Sequence, residues 1–142
     1  MPSSLSPRLL EIVDALPLFE GIRIIEIGCG PGAMAREICR RIGAGHVLAV
    51  DRSAKAIEQA EKSSKEEIAS GRLAFRQVAA EDFELLHDEE KFDIAVAIRV
   101  GALDGRHPEL AERARERIAR ALTSSGRLFI DGGDPLVELP LP

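Results

Sequence analysis

Residues Arg23–Ile42, RIIEIGCGPGAMAREICRRI, constrain this chain more than any other stretch. A short apolar run leads into three glycines at alternate positions, and a helix-forming segment follows. This is the signature of a strand entering a glycine turn at a helix N-terminus, where backbone N–H groups converge. Gly28, Gly30 and Gly32 give G-x-G-x-G, one residue tighter than the dinucleotide pattern G-x-G-x-x-G. Glu26 lies just upstream of the first glycine. Closely approaching backbone beside a carboxylate suits a ligand with an amino group better than one with a pyrophosphate.

The rest of the chain alternates buried strands with amphipathic helices. A first helix is expected over 6–16, with Ser6 as N-cap and Pro7 at its first position. Strands are expected at 23–27, 46–50, 73–78, 92–98 and 127–130. A helix with Ala35, Ile38, Cys39 and Ile42 inward follows the glycine turn. Ser53 caps a long helix whose inward face is Ala54, Ile57, Ala60, Ser64 and Ile68, ended by Gly71. Another helix runs from about 108 to 122. Apolar strands separated by helices predict a parallel sheet covered on both faces. With right-handed crossovers this becomes a doubly wound, Rossmann-like α/β fold of about five strands. Such sheets bind ligands beyond the carboxyl ends of their strands, at the topological switch point.

At 142 residues the chain reads as a single domain, 1–142, with a helical lead-in over 1–20 and a tail over 132–142. The net charge of −5 opposes broad binding of a nucleic-acid backbone, which needs a basic face. There is no Tyr or Trp to stack on bases. Cys29 and Cys39, with no secretory leader and no membrane-length apolar run, predict a cytoplasmic protein with reduced thiols. Cys29 in the glycine loop reads as a small residue beside a ligand, with a reactive thiol as the alternative. No metal-ligand spacing is found.

Five blocks in order resemble the class I S-adenosylmethionine-dependent methyltransferases: EIGCGPG at Glu26–Gly32, AVDRS at Ala49–Ser53, VAAEDF at Val78–Phe83, FDIAVAI at Phe92–Ile98 and SSGRLFI at Ser124–Ile130. The resemblance covers roughly residues 20–131 and implies S-adenosyl-L-methionine as cofactor. Gly28, Cys29, Gly30 and Gly32 would bring backbone against its methionine portion. Glu26 would orient that loop and help hold the amino group. Asp51 would accept both ribose hydroxyls, since a carboxylate's two oxygens suit a vicinal diol. Arg52 would flank the adenine, Ala80 would offer it a backbone N–H, and Glu81 and Arg99 complete the expected cofactor contacts.

Two departures from the family's pattern stand out. Ala79 occupies the place where many members carry an aspartate for the adenine amino group, so that contact is lost or passes to Glu81 or Asp82. Members also usually continue past strand five with a helix and an antiparallel strand pair, which the short tail GGDPLVELPLP is expected to lack. Strand five would then be a bare edge, covered by a homodimer or by the tail itself.

The substrate region is expected at Arg99–Pro108, RVGALDGRHP, which lacks the D/N/S-P-P-Y/F/W signature of amide-type N-methyltransferases. His107 is a candidate general base and Asp104 a weaker catalytic candidate, although each also fits a turn or helix-start role. Arg113, Arg115, Arg117 and Arg120 interleave with acids and read as a solvated helix face. The leading functional expectation is methyl transfer to a small molecule, without nucleic acid or membrane as partner. The alternatives are a cofactor-binding module or partner subunit without chemistry, and a nicotinamide-linked enzyme.

Overall fold

The computed structural model describes residues 5–142. Its order is α1 (Pro7–Ala15), β1 (Arg23–Ile27), α2 (Ala33–Arg41), β2 (His46–Asp51), α3 (Ala54–Ser63), α4 (Lys65–Ala69), β3 (Leu73–Gln77), a 3-10 turn (Ala80–Asp82), β4 (Phe92–Ala97), α5 (Pro108–Ala121), β5 (Leu122–Asp131) and β6 (Leu136–Leu139). The strands form one sheet in the order β3-β2-β1-β4-β5-β6. β1 pairs in parallel with both β2 and β4, so Glu26 stands between Ala49 and Val96 at the sheet's centre. From β1 the chain crosses over to β2, and from β3 it returns to β4 on the other side. The switch point therefore lies between β1 and β4.

Local chemistry accounts for these elements. Pro7 opens α1, and the Ser6 hydroxyl accepts from the Leu9 N–H at 3.3 Å. Ser53 caps α3 by accepting from Ala56 N–H at 3.1 Å. β1, β2 and β4 are almost entirely buried, as a covered parallel sheet requires. One apolar cluster, including Ile12, Val13, Ile38 and Val96, joins one sheet face to α1 and α2; a second, including Phe83, Ala114, Ile118 and Leu128, joins the other face to α5. Each of the larger side chains among these, Ile, Val, Leu or Phe, contributes about 1.5–3 kcal/mol when fully buried.

Three expectations are corrected. The helix predicted from Ser53 to Gly71 is broken at Ser64, which is fully buried and accepts a 3.0 Å hydrogen bond from Arg36 on α2. Ala54 is exposed rather than inward. Leu122 is the first residue of β5, not the end of α5, and β5 is much longer than 127–130.

A further correction concerns the tail. The antiparallel pair expected to be lacking is present, because β6 runs antiparallel to β5 with Leu128 opposite Leu139 and Asp131 opposite Leu136. The sheet has six strands, and the edge of β5 is covered by its own chain. Arg127 pairs with Glu138 at 2.8 Å, and Arg115 donates to the Pro140 carbonyl. Pro135 and Pro140 flank β6, consistent with its edge position.

Candidate cofactor and acceptor site

A cleft of about 610 Å³ opens at the carboxyl ends of the parallel strands. Its floor is the glycine loop, which is tied to β2. Gly28 and Cys29 N–H both donate to the Val50 carbonyl, at 2.8 and 2.9 Å. The Asp51 carboxylate accepts from Gly30 N–H through Oδ2 and from Ser53 N–H through Oδ1, both at 2.9 Å. Each Asp51 oxygen therefore uses one acceptor direction on the backbone and keeps another for a ligand.

Gly28, Gly30 and Gly32 all have positive φ, at 75°, 53° and 86°. Their surroundings differ. A Cβ on Gly30 would meet nothing within 4 Å, and Gly30 lines the cleft, so that direction is open to a ligand. A Cβ on Gly28 would come within 2.8 Å of Val100. A Cβ on Gly32 would press on Phe75 and Arg36 at 3.0–3.1 Å. Gly32 does not line the cleft, and its role is packing at the start of α2.

Glu26 lies beneath this loop, 3% exposed, with Oε1 buried and without a hydrogen-bond partner among the described residues. Burial first, and then the neighbouring Asp51 charge, push its carboxyl up from 4.5 to about 8, opposed by Arg36. An unpaired buried acceptor is costly, and a ligand donor would relieve the cost. The Cys29 thiol is pushed well above its ordinary range by burial and by Glu26 and Asp51. A group held so firmly as thiol is not a reactive thiolate.

Among the other predicted residues, Arg52, Ala80, Glu81, Arg99 and His107 also line the cleft. Asp82 does not line it and pairs with Arg113 at 3.1 Å. Asp104 is likewise not brought into the cleft, and holds Arg106 through Nε at 2.9 Å. His107 packs its ring against Gly101 and has Glu109 3.4 Å from Nδ1. Arg117 pairs with Glu84, Arg113 with Asp82 and Arg115 with the Pro140 carbonyl, so these three tie α5 to neighbouring segments, while Arg113 and Arg120 are exposed as a solvated face requires.

Sequence reasoning missed the contribution of α1. Ser6, Arg8 and Leu9 line the cleft from above. Arg8 is held by Asp131 at the end of β5, 2.8 Å away. The other Asp131 oxygen accepts from Arg99 N–H at 3.1 Å, and Arg99 adopts φ 57°. No local motif marks this assembly, because its parts come from opposite ends of the chain.

The comparisons agree with the geometry. The family profile described as Methyltransferase domain matches residues 24–126, and the chain belongs to that family, within the class I S-adenosylmethionine-dependent methyltransferases. Similar solved structures include an S-adenosylmethionine-dependent methyltransferase from Thiobacillus denitrificans in complex with S-adenosyl-L-homocysteine, at 22% identity and TM-score 0.67, covering 89% of this chain and 48% of that one. Another, from Geobacter sulfurreducens with the same ligand, has 22% identity, TM-score 0.66 and the same coverages. The 4+2 cyclase SpnF aligns at 28% identity and TM-score 0.68 over 87% of this chain and 43% of that one. The chain thus spans about half the length of these structures. No curated protein sequence matches it. The family's cofactor is S-adenosylmethionine. No helix among the described residues is long and apolar enough to cross a membrane.

Proposed function

We propose that the chain is a single domain that binds S-adenosylmethionine through Glu26, the 28–30 loop, Asp51, Arg52, Ala80 and Glu81, and supports methyl transfer to a small molecule. The observation that carries this reading is the buried, unpartnered Glu26 oxygen beneath a glycine loop open at Gly30. That carboxyl offers an acceptor to an amino group, and the free acceptor directions of Asp51 suit a vicinal diol. Since Asp82 is engaged by Arg113, Glu81 is the acid left for an adenine amino group.

The cofactor, when bound, supplies an electrophilic methyl group on a sulfonium. The chain's own contribution is orientation and exclusion of water. Val100 closes over Gly28, and Ile98, Ala102 and Leu110 give the cleft beyond the loop an apolar lining. His107 reaches the same cleft and is placed to take a proton from an acceptor hydroxyl or amine at its imidazole. Arg99, expected among the cofactor contacts, is assigned instead to this acceptor side, in the segment with Arg106 and His107; its backbone N–H is held by Asp131 and its carbonyl by Arg106 at 2.7 Å.

A second reading is a cofactor-binding fold without methyl transfer; the resemblance to a protein named as a cyclase motivates it. Incubation with a small-molecule extract and S-adenosylmethionine labelled in its methyl group separates the two. A product carrying the label is expected. Cofactor binding without any labelled product, against extracts rich in amines, acids and phenols, would favour the non-transferring module.

A further inference from the structure

We propose that the acceptor is a small organic anion, a carboxylate or a phosphate ester, gripped by Arg99 between Arg8 and Arg106. This rests on the reading above, since it concerns the same cleft. The three arginines line its acceptor side together, brought from α1, from the end of β4 and from the loop before α5. Two are already balanced. Arg8 pairs with Asp131, and Arg106 is held by both oxygens of Asp104, at 2.9 and 3.1 Å. The Arg99 side chain has no carboxylate or carbonyl partner among the described residues.

Beside Arg99 the two neighbouring guanidinium groups are thus each matched by a carboxylate, Asp131 for Arg8 and Asp104 for Arg106, and Glu109 stands at the rim beside His107. Asp131 fixes Arg8 by its side chain and Arg99 by its backbone, and Arg106 bonds the Arg99 carbonyl. Arg99 thus has a fixed base and an uncommitted planar fork. A non-glycine residue at φ 57° persists only where its surroundings hold it, as the Asp131 and Arg106 contacts to its backbone do. An exposed guanidinium with this placement matches a planar carboxylate or a phosphate bidentately. The acids that line the cleft, Glu26, Asp51 and Glu81, belong to the cofactor half and do not neutralise it. A cationic acceptor would meet Arg99 and a sulfonium on the same side, a repulsive arrangement.

The test uses three probes with the same ring and different charge: benzoate, phenyl phosphate and benzylamine, titrated into the full chain saturated with S-adenosylhomocysteine and followed by NMR of arginine Nε–H signals. Both anions are expected to bind more tightly than benzylamine, and Arg99→Gln is expected to weaken the better anion about tenfold or more, with Arg99→Lys recovering part of the loss. Tighter binding of benzoate identifies a carboxylic acid acceptor; tighter binding of phenyl phosphate identifies a phosphate ester. If S-adenosylhomocysteine binds but benzylamine matches the anions, or Arg99→Gln changes nothing, the anion proposal is overturned and the cofactor reading stands. If S-adenosylhomocysteine does not bind the wild-type chain, both fall.

Discussion

The two halves of the cleft are built by opposite means. The proposed cofactor half uses backbone and buried acid: Gly28 and Gly30 at positive φ, two amides on the Val50 carbonyl, and Asp51 bracing the loop it would share with a ligand. The proposed acceptor half uses exposed arginines on α1, just after β4 and in the loop before α5, organised around Asp131. Backbone shape at a glycine turn leaves little room for substitution without losing the fit. Long side chains on separate elements can be exchanged while the sheet stays the same. The difference predicts that mutations in the first half act steeply on cofactor binding, and mutations in the second mainly on what is methylated.

The steepest effect should come from Gly30→Val. A Cβ there meets no protein atom within 4 Å, so the cost to folding is mainly backbone strain at positive φ, about 1–2 kcal/mol. Cofactor affinity measured by calorimetry should fall below detection. Near-wild-type affinity would show that the loop does not approach the cofactor closely, and the contrast between the halves would disappear.

Asp51→Ala should come next, weakening S-adenosylhomocysteine by about 1.5–3 kcal/mol, the range for hydrogen bonds to a charged group. Part of any stability loss reflects the Gly30 and Ser53 amides that Asp51 also satisfies. Asp51→Asn, which retains one oxygen, separates the two contributions. Unchanged affinity in folded Asp51→Ala would remove the ribose assignment.

Glu26 gives a smaller, pH-dependent effect whose sign is fixed by its raised carboxyl. Burial and Asp51 move it from 4.5 to about 8, so the folded protein binds the extra proton between those values. Its stabilising contribution is complete below about 4.5 and is lost as pH rises through about 8. Denaturant titrations should show stability falling across that window in wild type, and a flatter profile in Glu26→Gln. A ligand ammonium beside Glu26 favours its ionised form, so binding near neutral pH should release protons. Equal binding heats in buffers of different ionisation enthalpy would contradict this.

Deleting 135–142 should affect the cofactor half least. It removes β6 and the Arg127–Glu138 pair and bares the β5 edge. Light scattering should show concentration-dependent association of the truncated chain, with cofactor affinity within about threefold of wild type because the edited strand is remote from β1 and β2. A clean monomer after deletion would show that β6 is not needed as an edge cover.

The same contrast explains what was legible in the sequence. The parallel core, Gly28, Gly30, Asp51 and the buried Glu26 could be read because each belongs to a strand end or turn whose residue types are locally constrained. The tail was misjudged because it looked too short for an antiparallel pair, whereas the four residues Leu136–Leu139 suffice for an antiparallel edge strand on β5. The break at Ser64 depends on Arg36 from another helix, so no helical periodicity reveals it. Arg8 and Asp131 are separated by most of the chain, and their 2.8 Å pairing is a property of the fold alone. Asp104 read from sequence as either a weak catalytic candidate or a turn residue, and its carboxylate is engaged by the backbone and side chain of Arg106.

The central claim is that the tight glycine loop and Glu26 select an amino-bearing nucleoside cofactor over a dinucleotide. Calorimetric titration of the wild-type chain with S-adenosylmethionine, S-adenosylhomocysteine and NAD tests it most directly. The account predicts one-to-one binding of the first two and no heat with NAD. Binding of NAD, or no heat with either S-adenosyl compound, would contradict it.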